Sequence, residues 1–160
     1  MSDLPWPNES QASQKHYRSD DDRDHLLAIF GTERPVAWIT GSSTDRVGRA
    51  IARTFAVRGY RIVVHANRSI ADGQELVERW TQAGIECMLV TGAIDEEATV
   101  IGWIDQIMNR FGRLDVLAHA AAVWEPMSLE ETSCKLVVEQ RVILANRDAL
   151  AKVACLHWHA

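Results

Sequence analysis

Within Val36-Ala37-Trp38-Ile39-Thr40-Gly41-Ser42-Ser43-Thr44-Asp45-Arg46-Val47-Gly48-Arg49-Ala50-Ile51-Ala52, two glycines bracket a polar run. An apolar segment precedes it and an amphipathic one follows. That layout suits the capture of a nucleotide's phosphates. Gly41 permits a sharp exit from a strand, because a residue without Cβ tolerates backbone angles that others do not. Gly48 lets the next helix pack closely on that strand. The unpaired N–H groups and positive dipole end of the helix then face a pyrophosphate. Arg46 places a cation in the loop, while Arg49, on the helix, is expected to face solvent.

The elements that must hold this loop follow from hydrophobic periodicity. Val36–Thr40 reads as a first strand, buried on both faces. Val47, Ala50, Ile51 and Phe55 recur at helical spacing until Gly59, a natural stop. Arg61–His65 is a second strand. Ser69–Gln82 is a helix, with Ser69 and Asp72 spaced as a capping pair, an apolar stripe of Leu76, Val77 and Trp80, and Gly84 at its end. Ile85–Val90 is a third strand. Asp95–Arg110 is a helix with Val100, Trp103, Ile104, Ile107 and Met108 on one face, and Leu114–His119 is a fourth strand. This alternation predicts an α/β fold, a doubly wound parallel sheet covered by helices on both faces. Right-handed crossovers give it the strand order 3-2-1-4.

At 160 residues the chain fits one domain. Its net charge of −5 argues against nucleic acid or an anionic membrane as the main partner. Cys87, Cys134 and Cys155 form no CxxC pair, which reads as reduced thiols of a cytoplasmic protein. No segment reads as a signal peptide or a membrane span. Residues 1–34 form an N-terminal extension, polar as far as about Asp24. Within it Leu26–Phe30 is one apolar turn that either packs on the domain or does not. Residues 35–160 form the domain proper.

Thr40-Gly41, the polar run and Val47-Gly48-Arg49-Ala50-Ile51-Ala52 resemble the cofactor loop of short-chain dehydrogenases/reductases. The pteridine-reductase-like branch is the nearest likeness, because there too a basic residue, here Arg46, replaces the loop's middle glycine. Six residues separate Gly41 from Gly48, one more than the family's common form. A second likeness is Phe111-Gly112-Arg113-Leu114-Asp115-Val116-Leu117-Ala118-His119-Ala120-Ala121-Ala122, which resembles the family's Gly-x-Leu/Ile-Asp-x-Leu strand running into Asn-Asn-Ala-Gly. His119 and Ala120 stand where the asparagines would be. The amide hydrogen bonds that steady this segment in the family are therefore lost, and His119 reads as a structural residue.

The resemblance implies a Rossmann-like fold and a dinucleotide cofactor. Gly41, Asp45, Arg46, Val47 and Gly48 would hold the pyrophosphate region, and Ala120 and Ala121 would line the ribose. At the end of the second strand, where an acidic residue selects NAD, the chain has Asn67-Arg68-Ser69. Arg68 can pair with a 2′-phosphate while Asn67 and Ser69 donate to it, which favours NADP(H) over NAD(H). The competing reading of Arg68 is a solvated turn. Asp95 either meets the adenine amino group, in place of Ala93, or caps the next helix.

Beyond Ala122 the likeness weakens. Ser128 and Glu131 are spaced as a capping box, and Leu136, Ile143, Leu144 and Leu150 suit a helical tail over 128–160. Asn146 is either the asparagine that supports the family's proton relay or a polar residue on an exposed face. The family's reaction needs a tyrosine as acid and a lysine four residues on, but the only tyrosines are Tyr17 and Tyr60, so no Tyr-x-x-x-Lys is present. No catalytic residue is assigned, and strands five to seven are read as missing. His157 and His159 lack a third fixed ligand, so no metal site is assigned. The sequence thus suggests a truncated NADP(H)-dependent oxidoreductase for a carbonyl or pterin-like substrate. Two alternatives stay open: an inactive NADP-binding module that dimerises through the exposed fourth strand, and a non-functional truncated product.

Overall fold

A computed structural model describes residues 19–122. Its elements in chain order are α1 (Asp20–Phe30), β1 (Val36–Ile39), α2 (Val47–Val57), β2 (Arg61–Ala66), α3 (Ile70–Gln82), β3 (Cys87–Thr91), α4 (Glu97–Phe111) and β4 (Val116–Ala118). The four strands make one parallel sheet in the order β3-β2-β1-β4, as the alternation predicts. Trp38 of β1 pairs across with Val63 on one side and Leu117 on the other. The readings that fall on residues 1–18 and 123–160 lie outside the described residues. They include the helical tail, the Ser128–Glu131 box, Asn146, Cys134, Cys155, His157 and His159.

β1 is wholly buried because it lies at the centre with side chains alternating between two cores. Ala37 and Ile39 join Ile62, Val64, Ala52, Ala56, Leu76 and Trp80 on the face covered by α2 and α3. Small residues there bring helix and sheet close: a Cβ on Gly73 would lie 2.8 Å from Leu89 Cδ1. Val36 and Trp38 point the other way, with Val63 and Val90, into Val100, Trp103, Ile104, Ile107 and Phe111 of α4. Trp38 and Trp103 meet edge to face, 6.0 Å between centroids.

The described part of the N-terminal extension, residues 19–34, carries a helix that packs on the sheet. Ser19 and Asp22 form a reciprocal capping box, so the acidic run Asp20–Asp22 is the first turn of α1, where its charge complements the helix dipole. The apolar turn does pack: Leu26 is buried and Phe30 stands edge-on to Tyr60. Two expected caps are not made. Ser69 is the N-cap of α3 but its side chain makes no cap bond, since its backbone (φ −88°, ψ 56°) lies outside the extended region from which such a bond is reached. Asp95 sits in an exposed turn ahead of Glu96, the N-cap of α4, so it does not cap that helix.

Candidate functional site

β1 ends at the loop singled out in the sequence, and the two bracketing glycines touch. Gly41 has φ +65°, and a Cβ there would come within 2.8 Å of Ala121 Cα. A Cβ on Gly48 would fall 2.4 Å from the Gly41 carbonyl oxygen. Neither position admits a side chain without moving backbone. α2 therefore begins directly against the strand end. By helix geometry the N–H groups of Val47, Gly48 and Arg49 have no intrahelical acceptor within α2. Arg46 is the extended N-cap, and Asp45, Arg46 and Val47 are exposed, Val47 at 70%. Within the loop the chain makes a tight turn, with Arg46 N–H donating to the Thr44 carbonyl at 2.7 Å.

Ala120 and Ala121 follow β4 and abut this loop. Their N–H groups both donate to Thr40 Oγ1 at 3.0 Å, and Thr40 N–H donates to the Ala118 carbonyl. The hydroxyl of Thr40, directly after β1, thus steadies the segment that follows His119. At the end of β2, Asn67 and Arg68 are exposed and Ser69 is half-buried, its hydroxyl free of any cap bond. The loop, Asn67–Ser69 and Ala120–Ala121 all lie at the C-terminal end of the parallel sheet, where open α/β sheets bind ligands.

Arg49 does not face solvent: it is half-buried and its guanidinium donates to the Ser43 carbonyl. Burial lowers its pKa, and Arg79 and Arg53 lower it further against the opposing pull of Asp45. A cleft of about 230 Å³ opens beside it, between Thr44, Asp45 and Arg49 on one side and Asp72, Glu75 and Arg79 on the other. Neither Gly41 nor Arg68 lines this cleft, and its three carboxylates outnumber its two guanidiniums, so it does not suit a phosphate.

One residue that sequence reasoning treated only as part of a strand is central. His65 is buried at the end of β2, with Nδ1 accepting from Gly41 N–H and Nε2 facing the Gly92 carbonyl, both at 3.0 Å. Burial holds its pKa below the ordinary histidine value. The signal in the sequence was an ionisable residue closing the apolar run Ile62-Val63-Val64. Gly41 N–H and Ser42 N–H are both committed to His65, so neither is offered to a ligand. The part of Gly41 is to keep space clear, and the open donors are those at the start of α2.

Residues 35–153 match the short chain dehydrogenase family. A ketoacyl reductase named for the granaticin polyketide synthase of Streptomyces violaceoruber is 37% identical over 95 residues, which are 59% of this chain and 36% of that protein. A short-chain dehydrogenase/reductase homolog of Bacillus subtilis is 26% identical over 96 residues, 60% of this chain and 87% of its own length. The chain thus spans little over a third of the first of these relatives. Among solved structures, a short chain dehydrogenase from Burkholderia cenocepacia in complex with NADP superposes with a TM-score of 0.69 at 21% identity, over 78% of this chain and 51% of that one. A variant of the actinorhodin polyketide ketoreductase with NADPH gives 0.64 at 20%, over 76% and 48%. At such identities the likeness is one of fold. No helix among the described residues is long and apolar enough to cross a membrane.

Proposed function

The chain belongs to the short-chain dehydrogenase family, and from that premise we propose that it binds NADP(H) across the C-terminal ends of β1 and β2. The observation that carries the reading is the interlock of Gly48 on Gly41, which brings the first-turn N–H groups of α2 directly to the strand ends. Asp45, Arg46, Val47 and Gly48 frame the pyrophosphate, with Gly41 keeping the approach open. Ala120 and Ala121 lie along the ribose on the opposite side of the loop. Asn67, Arg68 and Ser69 receive the 2′-phosphate, which the absence of an acidic residue at the end of β2 favours. Arg46 in the place of the loop's middle glycine supports the pteridine-reductase-like branch. The domain that does this runs from residue 35 to 160, with 1–34 appended to it.

The bound nicotinamide supplies or accepts a hydride, and a carbonyl or pterin-like compound is the proposed substrate of the whole reaction. This chain's residues bind and orient the cofactor. No Tyr-x-x-x-Lys is present to deliver the proton, so the 160-residue chain alone is expected not to turn over. A second reading, a dinucleotide-binding module without turnover, is supported by the Bacillus subtilis relative, 87% of whose length is matched over 96 residues. That module would pair through β4, whose outer side has no strand partner among the described residues.

A thermal melt of the whole chain with and without dinucleotide tests cofactor binding. A ligand at a hundredfold excess over its Kd stabilises by about 2.7 kcal/mol, a midpoint shift of roughly 5–10 °C. NADPH is expected to give that shift and NADH a smaller one; no shift with either would overturn the reading. Absorbance loss of NADPH with a carbonyl substrate separates the oxidoreductase from the module, and sedimentation reports whether β4 pairs.

A further inference from the structure

We propose that His65 is the positioning residue of this site: one imidazole, fixed between Gly41 and Gly92, sets where the phosphate loop lies against the exit of β3. The proposal rests on reading the loop as a cofactor site. Every polar group of His65 is used. Its N–H donates to Ser42 Oγ at 3.2 Å and its carbonyl accepts from Ser42 N–H at 3.1 Å. Its Nδ1 accepts from Gly41 N–H, and its Nε2 faces the Gly92 carbonyl. A backbone N–H only donates and a carbonyl only accepts, so the two ring contacts together demand the neutral Nε2–H tautomer. An imidazolium would set two N–H groups head to head at Gly41.

The surroundings hold the ring in that plane and that charge state. It packs on Trp103 of α4 with centroids 5.0 Å apart, and Trp103 Nε1–H donates to the Thr91 carbonyl at 3.2 Å. Gly92 has φ +136°, and a Cβ there would lie 3.1 Å from Trp103 Cζ2. The exit of β3 is thus wedged between an indole and an imidazole. β1 and the loop present only the uncharged Thr40, Gly41 and Ser42 at this corner, α4 presents Trp103, and β3 ends in Thr91 and Gly92. Among the described residues the titratable group that acts on it is His119, directly after β4, whose charge would further disfavour an imidazolium. The loop therefore keeps its shape while His65 is neutral and loosens when it is protonated.

The test begins on the unaltered 160-residue chain labelled with ¹⁵N-histidine. The expected spectrum has His65 as the Nε2–H tautomer, still neutral where a free histidine is half-protonated. An Nδ1–H tautomer, or an imidazolium at neutral pH, overturns the proposal, and neither observation needs cofactor or a variant that folds. The second stage compares His65→Asn, whose Oδ1 can replace the acceptor for Gly41, with His65→Gln, whose amide nitrogen can replace the donor to Gly92. His65→Asn is expected to keep Gly41 amide exchange and the NADPH Kd within about threefold, and His65→Gln to worsen both by about tenfold. Equal behaviour of the two variants overturns the role. The expected tautomer and exchange pattern without any NADPH binding would instead overturn the cofactor reading and leave His65 as the organiser of the loop.

Discussion

The two ends of the sheet are fastened by opposite means. At the N-terminal ends of the strands the tie is charged. Asp115 is buried, accepts from Val36 N–H at 2.7 Å, and is gripped by Arg113 Nε at 2.8 and 3.0 Å. The same guanidinium donates to the Phe30 carbonyl, stitching α1 onto the sheet. At the C-terminal ends the ties between strands carry no ion pair: two glycines in contact, a threonine hydroxyl and a buried histidine whose pKa is lowered, with Arg49 reaching only the Ser43 carbonyl within its own loop. The difference is chemical. A fixed ion pair beside the loop would compete with a phosphate for every donor, whereas neutral ties leave the start of α2 and the cations Arg46 and Arg68 available. The charged lock sits at the end of the sheet away from the proposed cofactor site.

That contrast is easiest to break from the closed end. Asp115→Ala strands Val36 N–H and leaves Arg113 without its partner. We expect a loss of about 2–4 kcal/mol in a denaturant melt, below the full value of a buried pair because Arg113 is one-third exposed. NADPH affinity of the folded fraction should be unchanged; a weakened Kd would mean that the two ends are not independent. Gly48→Ala attacks the open end. Its Cβ has to displace the Gly41 carbonyl, so NADPH binding should fall by at least about tenfold, read by fluorescence titration, for about 2 kcal/mol of stability.

Arg68→Ala sharpens the comparison without touching the fold. It should cost NADPH about 1–3 kcal/mol and NADH almost nothing, so the ratio of the two Kd values carries the result. Acidification separates the ends again. The pKa of His65 is depressed in the folded state, so the unfolded chain binds its proton first as pH falls below about 6.5. The contribution of His65 to stability is constant well above that pH and declines below it by up to about 1.4 kcal/mol per pH unit, until the folded-state value is reached. Urea melts of His65→Asn beside the parent isolate this share from the carboxylates, and an identical slope in both would remove His65 as its source. The smallest effect belongs to Arg49→Gln, which weakens the hold on the Ser43 carbonyl and should cost about 1 kcal/mol.

The sheet was legible because its rules are local. Apolar runs of strand length, helical spacing and terminal glycines need only neighbouring residues, and they place all four strands within two residues of where they lie. The loop was legible in the same way, since glycines at a strand exit and a helix start have few other uses. What escaped depends on partners far along the chain. Thr40 bonds to residues 80 and 81 positions away, His65 to one 24 positions away, and no pattern around either announces it. Arg49 was misjudged because helical spacing ranks a face by apolarity, while its guanidinium turns back to a carbonyl six residues earlier. The Ser69 cap failed on backbone angles that spacing cannot report.

The strand order also imposes a schedule. β1 leaves the ribosome before the other strands yet finishes between β2 and β4, and its Val36 N–H is satisfied by a carboxylate 79 residues downstream. At translation rates of about 5–20 residues per second, that partner arrives roughly 4–16 s later. Through that interval the nascent chain carries an apolar strand with one side unclosed, a window in which chaperones and aggregation compete for it. The Phe30 carbonyl waits slightly longer, for an arginine 83 positions on. α1 thus meets Tyr60 early, through Phe30, and receives its second tie from Arg113 just before β4 emerges to complete the four-stranded sheet.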